Sequence, residues 1–202
     1  MTTGSQPPGL REQNKARTRA AIRSAALELI AEQGYQETTV AQIAKQAGVS
    51  HTTLFRYFDT KEQVILHDDL DEARRRLLAE MPPGLGHFDL LRRVVVGLFA
   101  LAADDPWASN PERIRLILTE PTLRMAHQLD ADHVMQEMTD FFAEYTGTPA
   151  DSLRLRVFIA AASGVMMHIA ERSSTPDEAA LAEFQEALTL LEQGLPLGEA
   201  PR

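Results

Sequence analysis

The sequence predicts an all-α protein. Apolar residues recur at intervals of three and four along most of the 202-residue chain, which is the period of helices with one buried face. Capping residues stand before prolines at Asn110-Pro111, Thr148-Pro149 and Thr175-Pro176, and proline is favoured at the first position of a helix. No segment shows the apolar-polar alternation of a half-buried strand. Helices are therefore expected throughout the chain.

The N-terminal region is predicted to be a flexible arm followed by a basic helix. Residues 1–13 are polar and contain Pro and Gly, whereas residues from about Asn14 to Gln33 have helical periodicity that Gly34 ends. Residues 1–23 contain five Lys or Arg side chains and one Glu, a net charge of +4 that attracts phosphate. The apolar stripe of this helix consists of Ile22, Ala25, Ala26, Leu29 and Ile30.

Residues 39–58 are predicted to form two short helices joined by a tight turn. Thr39 can cap the first helix while Gln42 reaches back to the Thr39 N–H, as in a capping box. Gly48 suits the positive φ of the turn, and Ser50 can cap a second helix that begins at His51. We expect Leu54, Phe55 and Phe58 to pack inward and His51, Thr52, Thr53, Arg56 and Tyr57 to face outward. This is the layout of a DNA-reading helix-turn-helix.

The remaining helices are predicted from capping signals and periodicity. Asp59 or Thr60 can cap a helix that runs from Lys61 to about Glu80, where Met81-Pro82-Pro83-Gly84 breaks it. Later helices are predicted over His87–Ala103, Glu112–Thr119, Thr122–Tyr145, Ala150–Arg172 and Pro176–Gln193.

The net charge of −9 is unevenly distributed. Residues 1–67 carry eight Lys or Arg and six Asp or Glu, a net charge of +2, whereas residues 68–202 carry twelve and twenty-three, a net charge of −11. The acidity therefore belongs to the second part of the chain. An acidic body disfavours non-specific binding to DNA, so we expect a selective DNA-binding protein.

The segment ALELIAEQGYQETTVAQIAKQAGVSHTTLFRYFDTKEQVI resembles the DNA-binding region of TetR-family transcriptional regulators. The resemblance covers roughly residues 14–66 and includes the aromatic after Gly34, the AGVS turn, the LFRYF helix and the TKE that follows. It implies about nine helices and a homodimeric repressor that a small molecule releases from operator DNA. The expected domains are a three-helix DNA-binding domain at 14–60, an effector-binding and dimerisation domain at 61–195 and a tail at 196–202. We expect the release to be a shift carried by the helix from Lys61 to Glu80.

Candidate DNA contacts lie on the predicted helix-turn-helix and on the first helix. We assign His51, Thr52, Thr53 and Arg56 to bases or nearby backbone, and Arg56 can fork onto guanine. Phosphate contacts are assigned to Thr39, Ser50, Tyr57, Lys61, Arg17 and Arg19. In the alternative interpretation these residues are helix caps or solvated surface residues.

The last two predicted helices are candidates for a homodimer interface. Residues of the last helix recur at three and four, and the preceding helix contains Ala161 and Gly164, which permit close approach of another backbone. The candidate interface residues are Ala161, Gly164, Leu181, Phe184, Leu188 and Leu191, with Leu195 continuing the spacing. The same residues would equally serve a core within one chain.

Methionine and aromatic side chains in the second part of the chain are candidates for an effector pocket, because both suit an adaptable apolar cavity. They are Phe99, Trp107, Met125, Met135, Met138, Phe142, Phe158, Met166, Met167 and His168. Packing in an ordinary core is an alternative for each of them. The segment RIRLILTEPTLR is similar to a TetR subgroup with members that sense acyl-coenzyme A, which favours a hydrophobic or amphipathic effector.

Other classes of protein have less support. The chain has no cysteine, nucleophile elbow or phosphate-binding glycine loop, and the spacing of His127, Asp130 and His133 matches no strong zinc motif. We therefore expect no enzyme activity, cofactor or metal. We also expect a cytoplasmic protein, because no signal peptide is evident and no stretch approaches about eighteen apolar residues. A constitutive DNA-binding regulator without effector and a helical protein-interaction module remain alternatives.

Overall fold

The computed structural model describes residues 9–172 and 177–195, and within these ranges the chain is all-helical, as predicted. Ten helices are present there. They are α1 (Leu10–Gln33), α2 (Val40–Gln46), α3 (His51–Phe55), α4 (Lys61–Leu66), α5 (Asp71–Ala79), α6 (His87–Asp104), α7 (Pro111–Thr119), α8 (Pro121–Thr146), α9 (Leu153–Arg172) and α10 (Glu178–Glu192).

The chain divides into two compact units after His67. The first unit contains α1–α4, and the division falls later than the predicted domain boundary after residue 60. Its core is formed by one face of each helix and by the aromatic that follows α1. The buried residues include Ile22, Ala26, Leu29, Tyr35, Ile43, Leu54, Phe58, Val64 and Ile65.

The first helix begins earlier than predicted. Leu10 to Gln13 belong to α1, whereas these residues were expected to lie in the flexible arm. Glu12 accepts a hydrogen bond from Lys15 Nζ at 2.8 Å, a pair one turn apart that supports the added turn. The arm residues 1–8 lie outside the described part of the chain.

The predicted helix from Lys61 to Glu80 is wrong, because two helices replace it. The helix α4 ends at Leu66, and His67 takes the extended conformation with φ −66° and ψ 130°. Arg23 Nη2 from α1 donates to the His67 carbonyl at 2.7 Å. Asp68 then accepts from the Leu70 N–H at 3.2 Å and from the Arg74 guanidinium, contacts that accompany the separate start of α5. These side-chain contacts compete with continuation of the helix.

The second unit contains α5–α10 around a separate apolar core. Its fully or nearly buried members come from α6, α8, α9 and α10. The Tyr145 hydroxyl from the end of α8 accepts from the Leu85 N–H at 3.0 Å and donates to the Pro82 carbonyl, so it holds the loop before α6. The fully buried large side chains of this core are Leu90, Val94, Phe142, Phe184 and Leu188.

The three predicted proline starts have different outcomes. Asn110 caps α7 by accepting from the Arg113 N–H at 3.0 Å, with Pro111 at the first helical position. The prediction at Thr148-Pro149 is wrong, because Pro149 lies in a turn and Ser152 instead accepts from the Leu155 N–H at 3.3 Å to start α9. Thr175-Pro176 lies outside the described residues.

Among the described residues, one helix is long and apolar enough to cross a membrane by length and composition alone. It is the stretch Leu153–Ala170 of α9, of which 22% is buried. This corrects the expectation that no stretch approaches that limit. The core helix of a soluble protein can also satisfy this test.

Candidate nucleic-acid interface

The two helices of the predicted helix-turn-helix are set by caps that the sequence encodes locally. Gln42 Oε1 accepts from the Thr39 N–H at 2.7 Å, and the Thr39 hydroxyl accepts from the Gln42 N–H at 3.3 Å, which confirms the capping box. Ser50 accepts from the Thr53 N–H at 3.0 Å to cap α3. Gly48 between them has φ +67°, the left-handed conformation predicted for the turn.

The third helix presents polar side chains outward over a buried anchor. Leu54 is fully buried, whereas His51, Thr52 and Arg56 are exposed. Thr53 is half-buried and its hydroxyl lies 2.8 Å from that of Ser50. The Arg56 guanidinium lies 5.2 Å from the centroid of the half-buried Tyr57 ring. This cation–π contact helps to hold the Arg56 side chain in place.

Phe55 departs from its predicted place in the core. Its side chain is 39% exposed, because Leu54 and Phe58 already fill the interior beneath α3. The Phe55 ring meets the His51 ring edge-on, with centroids 4.6 Å apart. The outer surface of α3 therefore includes an aromatic pair beside the polar side chains.

Lys61 and the loop after α1 form a partly buried polar junction within the first unit. Lys61 Nζ donates to the Tyr35 carbonyl at 2.8 Å and the Thr38 carbonyl at 3.0 Å, and it lies 4.0 Å from the centroid of the Tyr35 ring. These contacts fix the start of α4 against the loop before α2. They also occupy two of its three donors, which leaves one for the phosphate contact that was predicted.

Glu62 completes this junction. Its Oε1 accepts from the Tyr35 hydroxyl at 2.6 Å. Burial opposes the ionisation of Glu62, but the hydrogen bond from Tyr35 and further hydrogen bonds hold the pKa of this carboxyl below its ordinary value. The carboxylate is therefore ionised and bonded at neutral pH.

The basic end of α1 keeps most of its charge at the surface. Arg11, Lys15 and Arg17 are exposed, and Arg19 is half-buried. Arg23 is buried, since its guanidinium stacks 5.6 Å from the Phe58 ring centroid and binds His67. Arg23 thus has a structural role within the first unit, and the exposed cations lie toward the start of α1.

The predicted effector-pocket residues lie in several different surroundings within the second unit. Of these residues, Phe158 lines an apolar recess between α6, α9 and α10. Phe142 is fully buried in the core of the second unit. Met125, Met167 and His168 are exposed, and Trp107 packs 5.5 Å from the Arg113 guanidinium. The half-buried residues that flank the core are Phe99, Met135, Met138 and Met166. Helical spacing located apolar faces but did not show which of them meet.

An apolar recess of about 460 Å³ lies between α6, α9 and α10. This volume falls within the range of about 300–1,000 Å³ typical of small-molecule sites. Aromatic rings of Phe88 and Phe158 form part of its wall, with centroids 5.3 Å apart, and Arg154 is its one charged lining residue. The other lining residues are Leu91, Leu153, Val157, Ala161, Ala162 and Leu191.

The predicted interface residues separate into core and surface. Phe184 and Leu188 are fully buried in the core of one chain, so their side chains are not accessible to a second copy. Leu181 and Leu191 are half-buried against the same core. Ala161 is half-buried and Gly164 is exposed, and no heavy atom lies within 4 Å of a Cβ added at Gly164. The helix α10 faces inward because its apolar residues complete the core.

An exposed apolar stripe on α9 was predicted only in part, since Gly164 alone of its members was assigned to the interface. Its members are spaced by four, three, four and three, a heptad spacing that is visible in the sequence but does not show whether the face is exposed. Leu153 is 68% exposed, Val157 58% and Met167 45%. We call this surface the α9 stripe; it consists of Leu153, Val157, Ala160, Gly164 and Met167.

Within the described residues, no three His, Asp or Glu side chains are placed to hold a metal ion. The candidate triplet of His127, Asp130 and His133 is not such a group, although all three residues lie on α8. We therefore assign no metal site to these three residues.

Two family models match the chain and together cover both units. The model described as bacterial regulatory proteins of the tetR family matches residues 22–67. The model described as the MftR C-terminal domain matches residues 85–196, which is more than half of the chain. The first match contains the helix-turn-helix, and the second contains α6–α10.

Individual relatives are regulators. The chain is 44% identical to the HTH-type transcriptional regulator TcmR of Streptomyces glaucescens over 87 residues, which are 41% of this chain and 38% of that regulator. It is 49% identical over 45 residues to the fatty acid metabolism regulator protein of Bacillus subtilis, covering 22% of this chain and 23% of that protein. The alignments thus span less than half of either relative. The structure of Thermus thermophilus FadR with lauroyl-CoA is 27% identical, with a TM-score of 0.54 over 91% of this chain and 98% of that one.

Proposed function

The chain belongs to the TetR family of bacterial regulatory proteins, and from that premise we propose that it is a ligand-responsive repressor that binds palindromic operator DNA as a homodimer. The observation that carries this proposal is the outward presentation of α3. Its base-reading candidates His51, Thr52 and Arg56 are exposed, while Leu54 anchors the helix. A helix held in this way can enter the major groove without disturbing the core of its own unit.

The phosphate contacts proposed around α3 follow from the caps and the basic end of α1. The free N–H groups at the start of α2 and α3 lie beside Thr39 and Ser50, where a phosphate oxygen is favoured. Arg17 adds an exposed cation, and the first unit carries the positive part of the charge. Such contacts fix the register of the protein on the duplex, and α3 supplies the sequence preference.

Selection of genomic DNA fragments by the purified chain tests the proposed binding to operator DNA. We expect enrichment of one inverted repeat and gel-shift affinity for it that falls as salt is raised, since counterions are released from neutralised phosphates. Equal recovery of unrelated fragments would instead indicate a helical protein with only non-specific affinity.

We propose the α9 stripe as the dimer interface. Three large apolar side chains of this surface are exposed in one chain. Burial of a Leu or Val side chain against a partner would stabilise the dimer by about 1.5–3 kcal/mol. Gly164 is a member of the stripe and leaves room for the close approach of a partner helix. Pairing of the stripe also accounts for the hydropathy of Leu153–Ala170 without a membrane.

Gly164→Arg tests this interface. It adds a charge to the α9 stripe at a position where an added Cβ meets open space within one chain, so we expect the fold to persist and the dimer to dissociate. Ala170→Arg is the matched control, because Ala170 is also exposed on α9 but lies off the stripe. Sedimentation equilibrium would show a dimer for the wild type and the control. A monomeric wild type, or a dimeric Gly164→Arg variant, would contradict the proposal.

We propose an amphipathic effector with an apolar chain, of the acyl-coenzyme A type. The relative from T. thermophilus is complexed with lauroyl-CoA, and the recess beside α9 has apolar walls with Arg154 available for an anionic group. Leu153 and Val157 line the recess and also belong to the α9 stripe, so a ligand there would touch the surface on which the second copy pairs. Release requires that the ligand prefer the dimer geometry that no longer fits adjacent grooves.

Titration of the DNA complex with acyl-coenzyme A thioesters of increasing chain length tests the effector class. We expect release of DNA that strengthens with chain length, and free coenzyme A without an acyl chain is the control. If no thioester binds or releases DNA, the chain is a regulator without an effector of this class.

A further inference from the structure

We propose that Phe55 reads the C5-methyl group of a thymine in each operator half-site. This assignment rests on the proposed binding of DNA and deepens it. Phe55 lies on α3 between the outward-facing Thr52 and Arg56 and the buried Leu54, and 39% of its side chain is exposed. The base contacts expected from the sequence were all polar, so this apolar one is additional.

The exposure of Phe55 is a local property of α3. Leu54 is fully buried and Phe58 is 1% exposed, so the core below the helix is complete without the Phe55 ring. Rotation of Phe55 inward would require displacement of one of these side chains from a close-packed interior. The ring therefore remains on the surface that meets the duplex.

The ring is held in place by its neighbour one turn earlier. The His51 and Phe55 rings meet at an interplanar angle of 69° with centroids 4.6 Å apart, an edge-to-face contact that restricts the Phe55 rotamer. A restricted ring loses less conformational freedom when it docks. His51 is thus a positioning residue for Phe55, in addition to any contact of its own.

The chemistry of the major groove identifies the partner of such a ring. The edges of the four base pairs present hydrogen-bonding atoms and one apolar group, which is the thymine methyl. A phenyl ring has no donor or acceptor for the other edges and would leave them unpaired. Contact with the methyl group is the interaction that favours one base over the others.

The test uses the inverted repeat that the wild-type chain selects from a random-sequence duplex library. Each thymine is replaced in turn by deoxyuridine, which removes the methyl group and keeps the Watson–Crick edge. For the wild type, we expect affinity to fall about fourfold at one thymine position per half-site, as for one methyl group returned to water. Phe55→Ala should bind the thymine and deoxyuridine duplexes equally at that position.

Two further variants make the result specific. Phe55→Leu keeps an apolar side chain and should retain part of the discrimination against deoxyuridine. Val96→Ala is the matched control, because Val96 is 40% exposed but lies on α6 in the second unit, and it should behave as the wild type. Circular dichroism checks that each variant is folded.

The possible outcomes are distinct. Equal affinity of the wild type for thymine and deoxyuridine at every position would overturn the assignment, and so would an unchanged preference in Phe55→Ala. Loss of discrimination at several unrelated thymines in Phe55→Ala would show a general change of α3 and also overturn it. If selection enriches no inverted repeat, the proposed function itself fails and this assignment fails with it.

Discussion

The two units of this protein are both helical, but they encode their candidate sites in different ways. In the first unit, the proposed DNA-reading surface comes from the short helix α3 and its neighbour α2. Each of these helices is capped by a side chain that bonds to the residue three positions later. In the second unit, the recess combines α6, α9 and α10, whose residues are distant in sequence. Arg92 on α6, for example, donates to Glu192 at the end of α10 at 2.6 Å. A site built from neighbours in sequence is visible in the sequence, whereas a site built by tertiary packing is not.

The two sites also differ in the interactions that stabilise them. The reading helix depends on caps that contribute about 1 kcal/mol each and on one buried anchor. The recess depends on the packing of large apolar side chains from several helices. Perturbations of the first unit should therefore act on DNA binding, and perturbations of the second on the recess and the dimer.

The largest expected effect comes from Leu54→Ala. Removal of this fully buried side chain should destabilise the first unit by about 2–5 kcal/mol, because it leaves a cavity beneath α3. Trp107 is the single tryptophan and lies in the second unit, so its emission reports that unit. In urea, the unfolding of the first unit, followed by circular dichroism, should shift to a lower urea concentration. The unfolding of the second unit, followed by Trp107 emission, should not change.

Leu188→Ala is the matched control for this comparison. Leu188 is also fully buried, but in the core of the second unit, so its removal should shift the Trp107 transition. If both variants shift both transitions equally, the two units unfold in one cooperative transition, and the expected separation of the two effects is wrong.

Arg56→Ala should have the next largest effect. Loss of a bidentate contact to guanine should weaken operator binding by about 1–3 kcal/mol and relax the preference at one position per half-site. Gel shifts with the selected operator and its single-base variants measure both quantities. Arg93→Ala removes an exposed arginine from α6 in the second unit and should leave both unchanged. An unchanged base preference in Arg56→Ala would remove Arg56 from the reading surface.

A matched pair of caps compares the units directly. Thr39 caps α2 in the first unit and Asn110 caps α7 in the second. Each substitution by alanine should cost about 1 kcal/mol of stability in its own unit. Only Thr39→Ala should also weaken DNA binding, since the start of α2 is a proposed phosphate contact. Equal effects of both variants on DNA affinity would mean that Thr39 acts through general stability alone.

The smallest effect concerns the pH dependence of the first unit. The folded pKa of Glu62 lies below its ordinary value, so this carboxylate stabilises the unit above the pKa of the unfolded chain. The contribution is lost as pH falls through the folded pKa. Tyr35→Phe removes the hydroxyl that donates to Glu62, so stability should depend less on pH in the acidic range. Thermal unfolding at a series of pH values measures this, and an unchanged pH profile would mean that the bond contributes little.

The sequence predicted most of the first unit. Thr39 with Gln42, Gly48 and Ser50 have roles that depend on neighbours within four residues, and the structure has them as predicted. Phe55 was misplaced because helical spacing alone does not show that Leu54 and Phe58 already fill the core. The helix predicted from Lys61 was too long because its end depends on Arg23, which lies far away in sequence.

The second unit was predicted only as a set of helices. Phe184 and Leu188 have the spacing of an interface but are buried in their own core, whereas Leu153 and Val157 have similar spacing and are exposed. The difference depends on which face each helix turns toward α6, and helical spacing does not contain that information. Phe88 and Arg154 were missed in the recess for the same reason, since each becomes a lining residue only when α6 and α9 meet.

Hydroxyl-radical footprinting of the wild-type chain on its selected genomic fragments tests the central claim most directly. If two copies of α3 enter successive major grooves, the protected sites should form an inverted repeat with half-site centres about 34–36 Å apart along the duplex. A single protected site without symmetry, or uniform protection that follows no sequence, would contradict the account of a paired reader of DNA.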